Sequence, residues 1–581
     1  MHWRNRKSEG GRKDRRLAIV GVFFLFWAFL IIGRLFFLQV IEHGYYALFA
    51  ENTHEIKAKL AAHRGNIYWQ DTRVKKELPA AVNRDYYTIY AVPREILSSE
   101  VASTSARVIE ILGVTSTLDQ ENIFSRLANS KSYYAPLVKK ADEALAEAIK
   151  NINLPGIYTT PQEYRFYPEG SLGGNVLGFV GANENGDLVG RYGLEQYFEK
   201  KIAGRGGFMA GDRGALGGWI NIGKRTTIKP ENGVDLLLTI DRTLEFKACE
   251  RLKQGMNDYE AVSGVLILME VKTGAVRALC SFPDFDPNNY SKVENVESYN
   301  NTAVSTQYEP GSVFKPVTMA GALDQNLVNP GSTFTDPCSR VINGYTIKNA
   351  QNKCYGVQTM TQVLENSVNT GMIWVEERLG REKFKNYVDK FGFGKRTGIA
   401  LSNEVAGDVS ALEKPGAIFG AVGAFGQGLT ATPLQIATAY AAIANGGALP
   451  KPYIVEEVRY GNGRIEKTSS ETTEQVIEPR SSRLLLAMLT SVVENHYTRA
   501  KIPGYYVAGK TGTAQIPGKG GYTEETNHTF AGFAPATSPE LVLVVKFEKP
   551  KQRWAEQTAL YVFQDVLEYA LNYYGFPRDK K

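Results

Sequence analysis

Residues 309–323 read EPGSVFKPVTMAGAL, and our interpretation of the chain begins from this stretch. Ser312 and Lys315 stand at the start of an apolar, helix-forming run, and Pro310 and Gly311 interrupt the structure before it. Three helical residues turn through about 300°, so that both side chains lie on one helix face. A lysine whose pKa is lowered by burial or by a second cation can take the proton of a serine hydroxyl. The pair predicts a nucleophile with its base, although a capping serine beside a surface lysine gives the same spacing.

Two later segments supply the other groups that an acyl-transferring serine needs. Ser367 and Asn369 lie in LENSVNTGM, between helical segments, where the hydroxyl can relay a proton and the amide can bind a peptide. Lys510 lies on a predicted strand, VAGKTGTAQ, and supplies positive charge. The residues after it can approach and hydrogen-bond a substrate carboxylate, and they are Thr511, Gly512 and Thr513. Similar triplets occur earlier, at 272–274 and 298–300, so the order of the segments is more informative than any single motif.

The pattern of strands and helices predicts a layered fold for the second half of the chain. After residue 232, VDLLLTIDRTLEFKACERLKQGMN is a strand and a helix, and VSGVLILMEVKTGAVRALCSF is two apolar strands joined by a turn. A helical block follows, then the strands YYVAGKTGTAQIP, HTFAGFAPA and ELVLVVKFEKP, and a closing helix. Strands on both sides of a helical block predict one antiparallel sheet with helices on both faces. We therefore predict an α/β domain of the α+β layered type over 233–581 and an elongated mixed α/β domain over 42–232.

The N-terminal segment predicts a membrane anchor. Residues 1–16 carry seven basic and two acidic side chains, and residues 17–41 are mostly apolar, with Arg34 as their one charged residue, which can snorkel to the interface. A helix of about 25 residues can cross a hydrocarbon core of about 30 Å. A cleaved signal peptide begins in the same way, but its apolar core is usually shorter. The basic flank predicts a single transmembrane helix over 17–41, with a cytoplasmic tail and the rest of the chain outside the cytoplasmic membrane.

Charge and cysteine usage exclude several classes of site. The formal net charge of +6 is concentrated in residues 1–16, so the rest of the chain is nearly neutral and we expect no nucleic acid as partner. Cys338 and Cys354 lie in one polar, turn-rich segment and are a candidate disulfide in an oxidising compartment. Cys249, in a helical stretch, and Cys280, in a strand-like stretch, are predicted to be buried free thiols. The sequence has no CxxC spacing and no histidine cluster, and we expect no metal.

Together these segments resemble a class B penicillin-binding protein, the monofunctional peptidoglycan D,D-transpeptidase. The resemblance rests on YEPGSVFKP, ENSVNTG, AGKTGTAQ and, at 425–447, FGQGLTATPLQIATAYAAIANGG, and it covers roughly 233–576. It extends more weakly to RGNI at 64–67, RFYPEG at 165–170 and YGLEQYFE at 192–199. Glu309, in place of a second proline, resembles the division-specific branch more than the elongation branch. After RGNI the family usually continues with an acidic–basic–Asn–Gly turn, whereas this sequence reads YWQD.

The resemblance implies a fold, a mechanism and partners. The fold is a penicillin-binding transpeptidase domain preceded by a pedestal of the penicillin-binding protein dimerisation type. Ser312, with Lys315 as its base, attacks the D-Ala–D-Ala bond of a donor stem peptide, and the amine of a neighbouring stem peptide then displaces the serine. Ser367 and Lys510 complete the proton path. The backbone N–H groups of Ser312 and Thr513 form the oxyanion hole by analogy, and β-lactams trap the serine.

The same resemblance implies no cofactor, and it implies a polytopic glycan polymerase and other division proteins as partners in the membrane. Alternatives are open at this point. A D,D-carboxypeptidase or a β-lactamase uses the same three motifs for hydrolysis, and an elongation-branch transpeptidase shares them too. A β-lactam sensor would need an intracellular output domain, and a non-catalytic scaffold would usually lack a motif residue. No glycosyltransferase motif precedes the pedestal, which disfavours the bifunctional class A proteins.

Overall fold

The computed structural model describes residues 11–36, 55–184, 186–212 and 226–580. The helices, in chain order, are α1 (Gly11–Phe36), α2 (Val101–Leu112), α3 (Thr117–Ala128), α4 (Glu143–Ile152), α5 (Gly174–Leu177), α6 (Gly193–Tyr197), α7 (Glu199–Ile202), α8 (Arg242–Tyr259), α9 (Thr302–Ser305), α10 (Lys315–Asp324), α11 (Met360–Glu365), α12 (Asn369–Leu379), α13 (Arg381–Lys390), α14 (Ala417–Gly423), α15 (Pro433–Ala444), α16 (Pro479–His496) and α17 (Ala559–Tyr574).

The strands, in chain order, are β1 (Glu55–Leu60), β2 (Ile67–Asp71), β3 (Lys76–Ala91), β4 (Ala135–Ala141), β5 (Ile157–Phe166), β6 (Phe179–Ala182), β7 (Leu188–Arg191), β8 (Gly207–Asp212), β9 (Thr226–Ile228), β10 (Asp235–Asp241), β11 (Ser263–Glu270), β12 (Val276–Phe282), β13 (Thr333–Thr335), β14 (Ser339–Ile342), β15 (Tyr345–Lys348), β16 (Val357–Thr359), β17 (Ala448–Pro450), β18 (Val455–Arg459), β19 (Ile465–Lys467), β20 (Thr472–Gln475), β21 (Ala508–Gly518), β22 (Gly521–Ala534) and β23 (Leu541–Glu548).

The chain forms two compact units. The first contains Met1–His63 and Gly204–Asn232, and its strands form an antiparallel sheet in the order β1-β8-β9. The second contains Arg64–Ala203 and Gly233–Lys581. In the second unit β2 pairs in parallel with β10, so that strands from both sides of residue 232 share one sheet.

A five-stranded antiparallel sheet is the centre of the second unit. Its order is β12-β11-β23-β22-β21, which joins strands from both sides of the helical block. Strands β11 and β23 are continuous apolar runs, the pattern of strands that are covered on both faces. Helices α8 and α17 pack on the sheet and on each other, as do helices α15 and α16. The predicted antiparallel sheet with helices on both faces is confirmed.

The accessory region of the second unit has its own small core. Helices α2, α3 and α4 pack with β3, β4 and β5 around buried aliphatic side chains such as Ile89, Val108, Leu127 and Ile149. Strand β3 is long enough to belong also to a sheet with the order β19-β18-β10-β2-β3-β4, in which β5 pairs with β3. This sheet connects the mixed α/β region to β10, which precedes the helical block, and to β18 and β19, which lie between α15 and α16.

The predicted membrane anchor lies partly outside the described residues. Helix α1 covers Gly11–Phe36, whereas the predicted span continues to residue 41, within the undescribed stretch 37–54. A search of the described part of the chain finds no helix that is long and apolar enough to span a membrane.

Candidate active site

Ser312 lies in a tight turn that leads into a buried helix. Residues Gly311–Phe314 form a 3₁₀ turn, and α10 follows it directly. Gly311 has a φ of +59° and donates its N–H to the carbonyl of Gly426 at 2.9 Å. A Cβ at Gly311 would lie 2.9 Å from the Cβ of Ala514 on β21, so glycine permits both the φ and this approach. The turn therefore holds the half-buried Ser312 beside strand β21.

Ser367 has a backbone conformation that serine rarely adopts. Its φ is +54°, and it lies between α11 and α12. The N–H groups of Ser367 and Val368 donate to the carbonyls of Leu364 and Val363, which ends α11 with a left-handed cap where glycine is usual. Such a conformation costs on the order of 1–3 kcal/mol and is often found at functional sites. Here the hydroxyl of Ser367 donates to the Oγ of Ser312 at 3.1 Å.

The amine of Lys315 is fully buried and bound by three oxygen atoms. Its Nζ donates to the carbonyl of Ser367 at 2.6 Å, to the Oγ of Ser367 at 3.0 Å and to the Oδ1 of Asn369 at 2.8 Å. The amide of Asn369 is oriented by its second bond, in which Nδ2 donates to the carbonyl of Lys348 at 2.9 Å. The line Ser312 Oγ–Ser367 Oγ–Lys315 Nζ can therefore carry a proton from the nucleophile to the amine.

Lys510 is a second fully buried amine, on strand β21. Its Nζ donates to the hydroxyl of Tyr497 at 2.9 Å and to the carbonyl of Thr511 at 3.2 Å. Burial lowers the pKa of Lys315 well below its ordinary value, and the positive charge of Lys510 lowers it further. An amine with a lowered pKa can be neutral near neutral pH, and in that form it can accept a proton.

Thr511 is turned towards the interior of the domain. Its side chain is buried, and its Oγ1 bonds to the hydroxyl of Tyr497 at 2.7 Å and to the Oε1 of Glu556 at 3.1 Å. Neither Tyr497 nor Glu556 was predicted to belong to the site. Tyr497 directly follows α16 and stands in no recognisable motif, so only the tertiary structure places it between Lys510 and Thr511.

Gly512 and Thr513 bring strand β21 to the nucleophile. A Cβ at Gly512 would lie 2.9 Å from the carbonyl oxygen of Pro310, so glycine allows the strand to approach the turn that holds Ser312. Thr513 is half-buried, and its Oγ1 accepts the N–H of Ala555 at 3.1 Å. Of the three predicted substrate-binding residues, Thr513 therefore faces the same space as the serine.

That space is a groove of about 1230 Å³. Ser312, Ser367, Asn369 and Thr513 line it, while Lys315 and Lys510 are buried behind them. Its remaining walls include β15 and the residues that follow it to 351, the loop at 549–554 and part of the β21–β22 hairpin.

A disulfide closes one wall of the groove. The structure joins Cys338 to Cys354, with their Cα atoms 4.6 Å apart, and the closed loop contains residues 345–351. Asp336 ties this loop to α12, because its Oδ1 accepts both the N–H of Cys338 at 2.9 Å and the hydroxyl of Thr370 at 2.6 Å. Thr370 follows Asn369, so the loop and the Ser367–Asn369 segment are held together.

The prediction that Cys249 and Cys280 are free thiols is wrong. The two residues form a disulfide, with their Cα atoms 5.3 Å apart. Cys249 lies on α8 and Cys280 on β12, and these two elements pack on each other. The pairing follows from that packing, and neither local sequence pattern could reveal it.

A further contact near the serine joins three segments. Glu309 accepts the N–H of Gly428 at 3.0 Å and the hydroxyl of Tyr522 at 2.9 Å. Tyr522 belongs to the β21–β22 hairpin, so this carboxylate connects the segment before Ser312 to that hairpin. The sequence drew attention to Glu309 only as a marker of resemblance.

Comparison with known proteins agrees with this geometry. Residues 264–568 match the family described as the penicillin binding protein transpeptidase domain, and residues 59–238 match the penicillin-binding protein dimerisation domain. The chain is 32% identical over 545 residues to stage V sporulation protein D of Bacillus subtilis, covering 92% of this chain and 82% of that protein. It is 29% identical over 538 residues to peptidoglycan D,D-transpeptidase FtsI of Escherichia coli K12, covering 92% and 87%.

Solved structures show the same fold. A peptidoglycan synthetase from Bifidobacterium adolescentis superposes with a TM-score of 0.72 at 25% identity, covering 91% of this chain and 98% of that one. Penicillin binding protein 3 from Mycobacterium tuberculosis, in complex with aztreonam, superposes with a TM-score of 0.69 at 24% identity, covering 90% and 98%.

Proposed function

This chain belongs to the class B penicillin-binding proteins, and from that premise we propose that it is a serine D,D-transpeptidase that cross-links peptidoglycan stem peptides through an acyl-enzyme at Ser312. One observation carries the proposal: the hydrogen-bonded line from Ser312 through Ser367 to the buried amine of Lys315. A capping serine beside a surface lysine has no such line and does not bury the amine.

The first half-reaction uses that line. Ser312 Oγ attacks the carbonyl carbon between the two terminal D-Ala residues of a donor stem peptide, and its proton passes through the hydroxyl of Ser367 to Lys315. The N–H groups of Ser312 and Thr513 hold the developing oxyanion by analogy with the family. The proton returns through Ser367 to the leaving amine, D-Ala departs, and the acyl group stays on Ser312.

The second half-reaction reverses these roles. The amine of a neighbouring stem peptide enters the groove, attacks the ester carbonyl and loses a proton along the same line. Ser312 leaves with a proton and the cross-link is complete. A β-lactam presents a similar amide to the serine, and its acyl group remains on Ser312.

Replacement of the nucleophile tests the site assignment. We expect Ser312→Ala to abolish covalent labelling by fluorescent penicillin, because no other hydroxyl on the line is placed to form the ester. Mass spectrometry of the penicillin-treated protein should locate the adduct on the peptide that contains Ser312. Ser291→Ala, which changes an exposed serine outside the groove, should label normally. Labelling retained at another residue in Ser312→Ala would contradict the assignment.

A second measurement separates cross-linking from hydrolysis. If the chain is a transpeptidase, a stem-peptide donor offered together with a free acceptor amine should yield the amide-linked product. Free acid as the only product would instead identify a carboxypeptidase or β-lactamase type of hydrolase.

We also propose that the chain is anchored in the cytoplasmic membrane by one N-terminal helix, with its catalytic groove outside the cytoplasm. The basic flank at 1–16 supports this orientation. Large apolar side chains of α1 are exposed, among them Phe23, Leu25, Phe26, Trp27, Phe29, Ile31 and Ile32.

The proposed segments are a tail at 1–16, a transmembrane helix at 17–41, a pedestal at 42–232 and a transpeptidase domain at 233–581. Protease added outside intact spheroplasts should digest the transpeptidase domain and leave the tail at residues 1–16 intact.

We propose a role in septal wall synthesis rather than in elongation, because the segment that contains Glu309 and Ser312 resembles the division-specific branch. A polytopic glycan polymerase and other division proteins are the partners that we propose for the membrane helix and the pedestal. Depletion of the protein should therefore block septa and leave filaments, whereas rounded cells would indicate the elongation branch.

A further inference from the structure

A second cavity, of about 280 Å³, lies between α8 and β12 and contains a disulfide in its wall. Glu245 and Cys249 stand one helical turn apart on α8, so both side chains face the same side. Cys280, the partner of Cys249, lies opposite on β12. Glu245 and both cysteines line the cavity.

Glu245 lines this cavity, and one of its two carboxyl oxygens makes no hydrogen bond to the described residues. The residue has no exposed surface, and its Oε2 accepts the N–H of Leu279 at 2.7 Å. Its Oε1 has no hydrogen-bond partner among the described residues. One carboxylate oxygen and the two sulfur atoms all lie within 4.8 Å of one another. An unsatisfied buried polar group costs about 1–3 kcal/mol, so its presence calls for a reason.

We propose that Cys249–Cys280 is a thiol–disulfide exchange site for a dithiol that enters this cavity, and that Glu245 supplies the proton to the leaving sulfur. Cys249 is 9% exposed and Cys280 2%, so the attack falls on the Sγ of Cys249. The site is separate from the groove at Ser312, since none of its three residues lines that groove.

The exchange conserves atoms and electrons. A thiolate of the dithiol attacks the Sγ of Cys249 and forms a mixed disulfide, the bond between the two protein sulfurs breaks, and its electron pair remains on the Sγ of Cys280. That sulfur takes the proton of Glu245, which regains one from water. The second thiol then attacks the reagent's own sulfur in the mixed disulfide, and Cys249 leaves and takes that thiol's proton. The protein disulfide is reduced by two electrons and the dithiol is oxidised to a disulfide.

Burial of Glu245 favours a carboxyl that can hold the proton. Burial raises the pKa of Glu245 to about 7, and the bond from Leu279 opposes that rise only in part. Two acidic groups of the cavity wall are already paired, Glu169 with Arg242 and Glu250 with Lys247. The other charged groups of the wall are Lys253 and Asp284. Below pH 7 the neutral carboxyl can donate, and above pH 7 the carboxylate cannot donate and also repels the incoming thiolate.

The other disulfide is an internal control. Asp336 lies beside Cys338, but its carboxylate accepts bonds from four donors: the N–H groups of Cys338 and Tyr355, the hydroxyl of Thr370 and the amide of Asn349. Burial would raise the pKa of Asp336, but these hydrogen bonds outweigh it and lower the pKa. Asp336 therefore has no proton to give near neutral pH, and Cys338–Cys354 should lack this assistance.

Timed reduction of the full-length protein by dithiothreitol, with alkylation and peptide mass spectrometry, measures each disulfide separately. We expect the rate for Cys249–Cys280 to rise in proportion to dithiothreitol concentration. The reduction rate of Cys249–Cys280, divided by the concentration of dithiothreitol thiolate, should fall at least tenfold between pH 6.5 and 8.5. Glu245→Gln should lower the rate at pH 6.5 at least tenfold and flatten this profile. Glu250→Gln, which changes a paired carboxylate of the same wall, should leave the rate and pH profile of Cys249–Cys280 unchanged. Glu245→Gln should leave the reduction rate of Cys338–Cys354 unchanged.

Two results would overturn the proposal. One is a rate for Cys249–Cys280 that does not depend on dithiothreitol concentration, which means that the fold must open before the bond is reached. The other is a Glu245→Gln protein with the wild-type rate and pH profile. If Glu245→Gln does not fold, the concentration and pH dependence of the wild-type protein decide the question, with Cys338–Cys354 in the same sample as the disulfide that should show no bend near pH 7.

Discussion

The second compact unit contains two buried clusters of ionisable side chains with opposite electrostatics. The amine cluster, Lys315 and Lys510, places two basic groups of like charge type in one site, with neutral oxygens around the first. The guanidinium cluster, Arg64, Arg165 and Glu195, places one fully buried anion between two cations. All five side chains are largely or wholly withdrawn from solvent, so burial alone does not distinguish the clusters.

The guanidinium cluster is closed by short, directed bonds. Arg64 Nε donates to one oxygen of Glu195 at 2.7 Å, and Arg165 Nε donates to the other at 2.7 Å. Arg64 also reaches Glu199, at 2.5 Å. These residues come from RGNI, RFYPEG and YGLEQYFE, the three segments of the accessory region that resembled the family. The segments therefore meet at a single carboxylate.

The sign of the neighbouring charge decides what burial does to each group. Burial would raise the pKa of Glu195, but the charges and hydrogen bonds of Arg165 and Arg64 outweigh it and lower the pKa, so the carboxylate stays ionised. Burial lowers the pKa of Lys315, and Lys510 adds to the effect. The first arrangement holds a structure together, and the second prepares a base.

Lys315→Ala should produce the largest difference between the clusters. Loss of the base should slow acylation by penicillin by about 10²–10⁴-fold, the usual contribution of a general base. The fold should survive, because the groups that lose a partner are neutral and border the groove. Stopped-flow acylation and circular dichroism of the same sample measure the two effects.

Lys385→Ala is the matched control, since it removes a surface lysine of α13 that pairs with Asp389. It should acylate at the wild-type rate. If Lys315→Ala also acylates at that rate, the amine cluster has no catalytic role and the comparison fails.

Glu195→Gln should show the opposite pattern. It removes the only anion that pairs with Arg165 among the described residues and leaves Arg64 with Glu199 alone. Removal of one member of a buried ion pair typically costs about 3–5 kcal/mol. We expect the free energy of unfolding to fall by that amount, while acylation per folded molecule is unchanged. Denaturant titration and penicillin labelling of the soluble fraction test both halves of the prediction.

The stability lost in Glu195→Gln should depend on pH. The pKa of Glu195 is lower in the folded state than in the unfolded chain, where a glutamate has a pKa of about 4.3. Ionised Glu195 therefore stabilises the fold fully at pH values above about 4.3. This stabilisation is lost as the pH falls through the lowered pKa of the folded state. The stability difference between wild type and Glu195→Gln should therefore shrink below about pH 4. Glu199→Gln, which removes a half-exposed partner of Arg64, should cost much less at neutral pH. Equal losses for Glu195→Gln and Glu199→Gln would assign the stability to surface pairing.

The catalytic segments could be predicted from the sequence because their local patterns are strong. Pro310 and Gly311 before an apolar run predicted a helix start near Ser312, whereas the structure has a 3₁₀ turn there and begins α10 at Lys315. The apolar runs at β11 and β23 predicted the strands that the structure covers on both faces. The grouping of Ser312, Ser367 and Lys510 came from their order along the chain and from a family resemblance. Their distances and hydrogen bonds required the structure.

The missed features depend on contacts between distant segments. Tyr497 bonds to Lys510 only because α16 ends beside β21, and Cys249 meets Cys280 only because α8 packs on β12. The left-handed φ of Ser367 contradicts local preference, which would place glycine there. Sequence patterns report which face of an element is covered, and they do not report what covers it.

Lys510→Gln should give the smallest effect and tests the cause of the lowered pKa. Without the second cation the pKa of Lys315 should rise, so less of the neutral base is present at pH 7, and acylation should slow by about tenfold for every pH unit by which that pKa rises. The acidic limb of the pH profile should move to higher pH, and much of the rate should return in alkali. Lys546→Gln removes another buried lysine of the same sheet, one that pairs with Glu548, and should leave the limb in place. A uniform loss of rate at every pH in Lys510→Gln would mean that Lys510 binds substrate and does not tune the base.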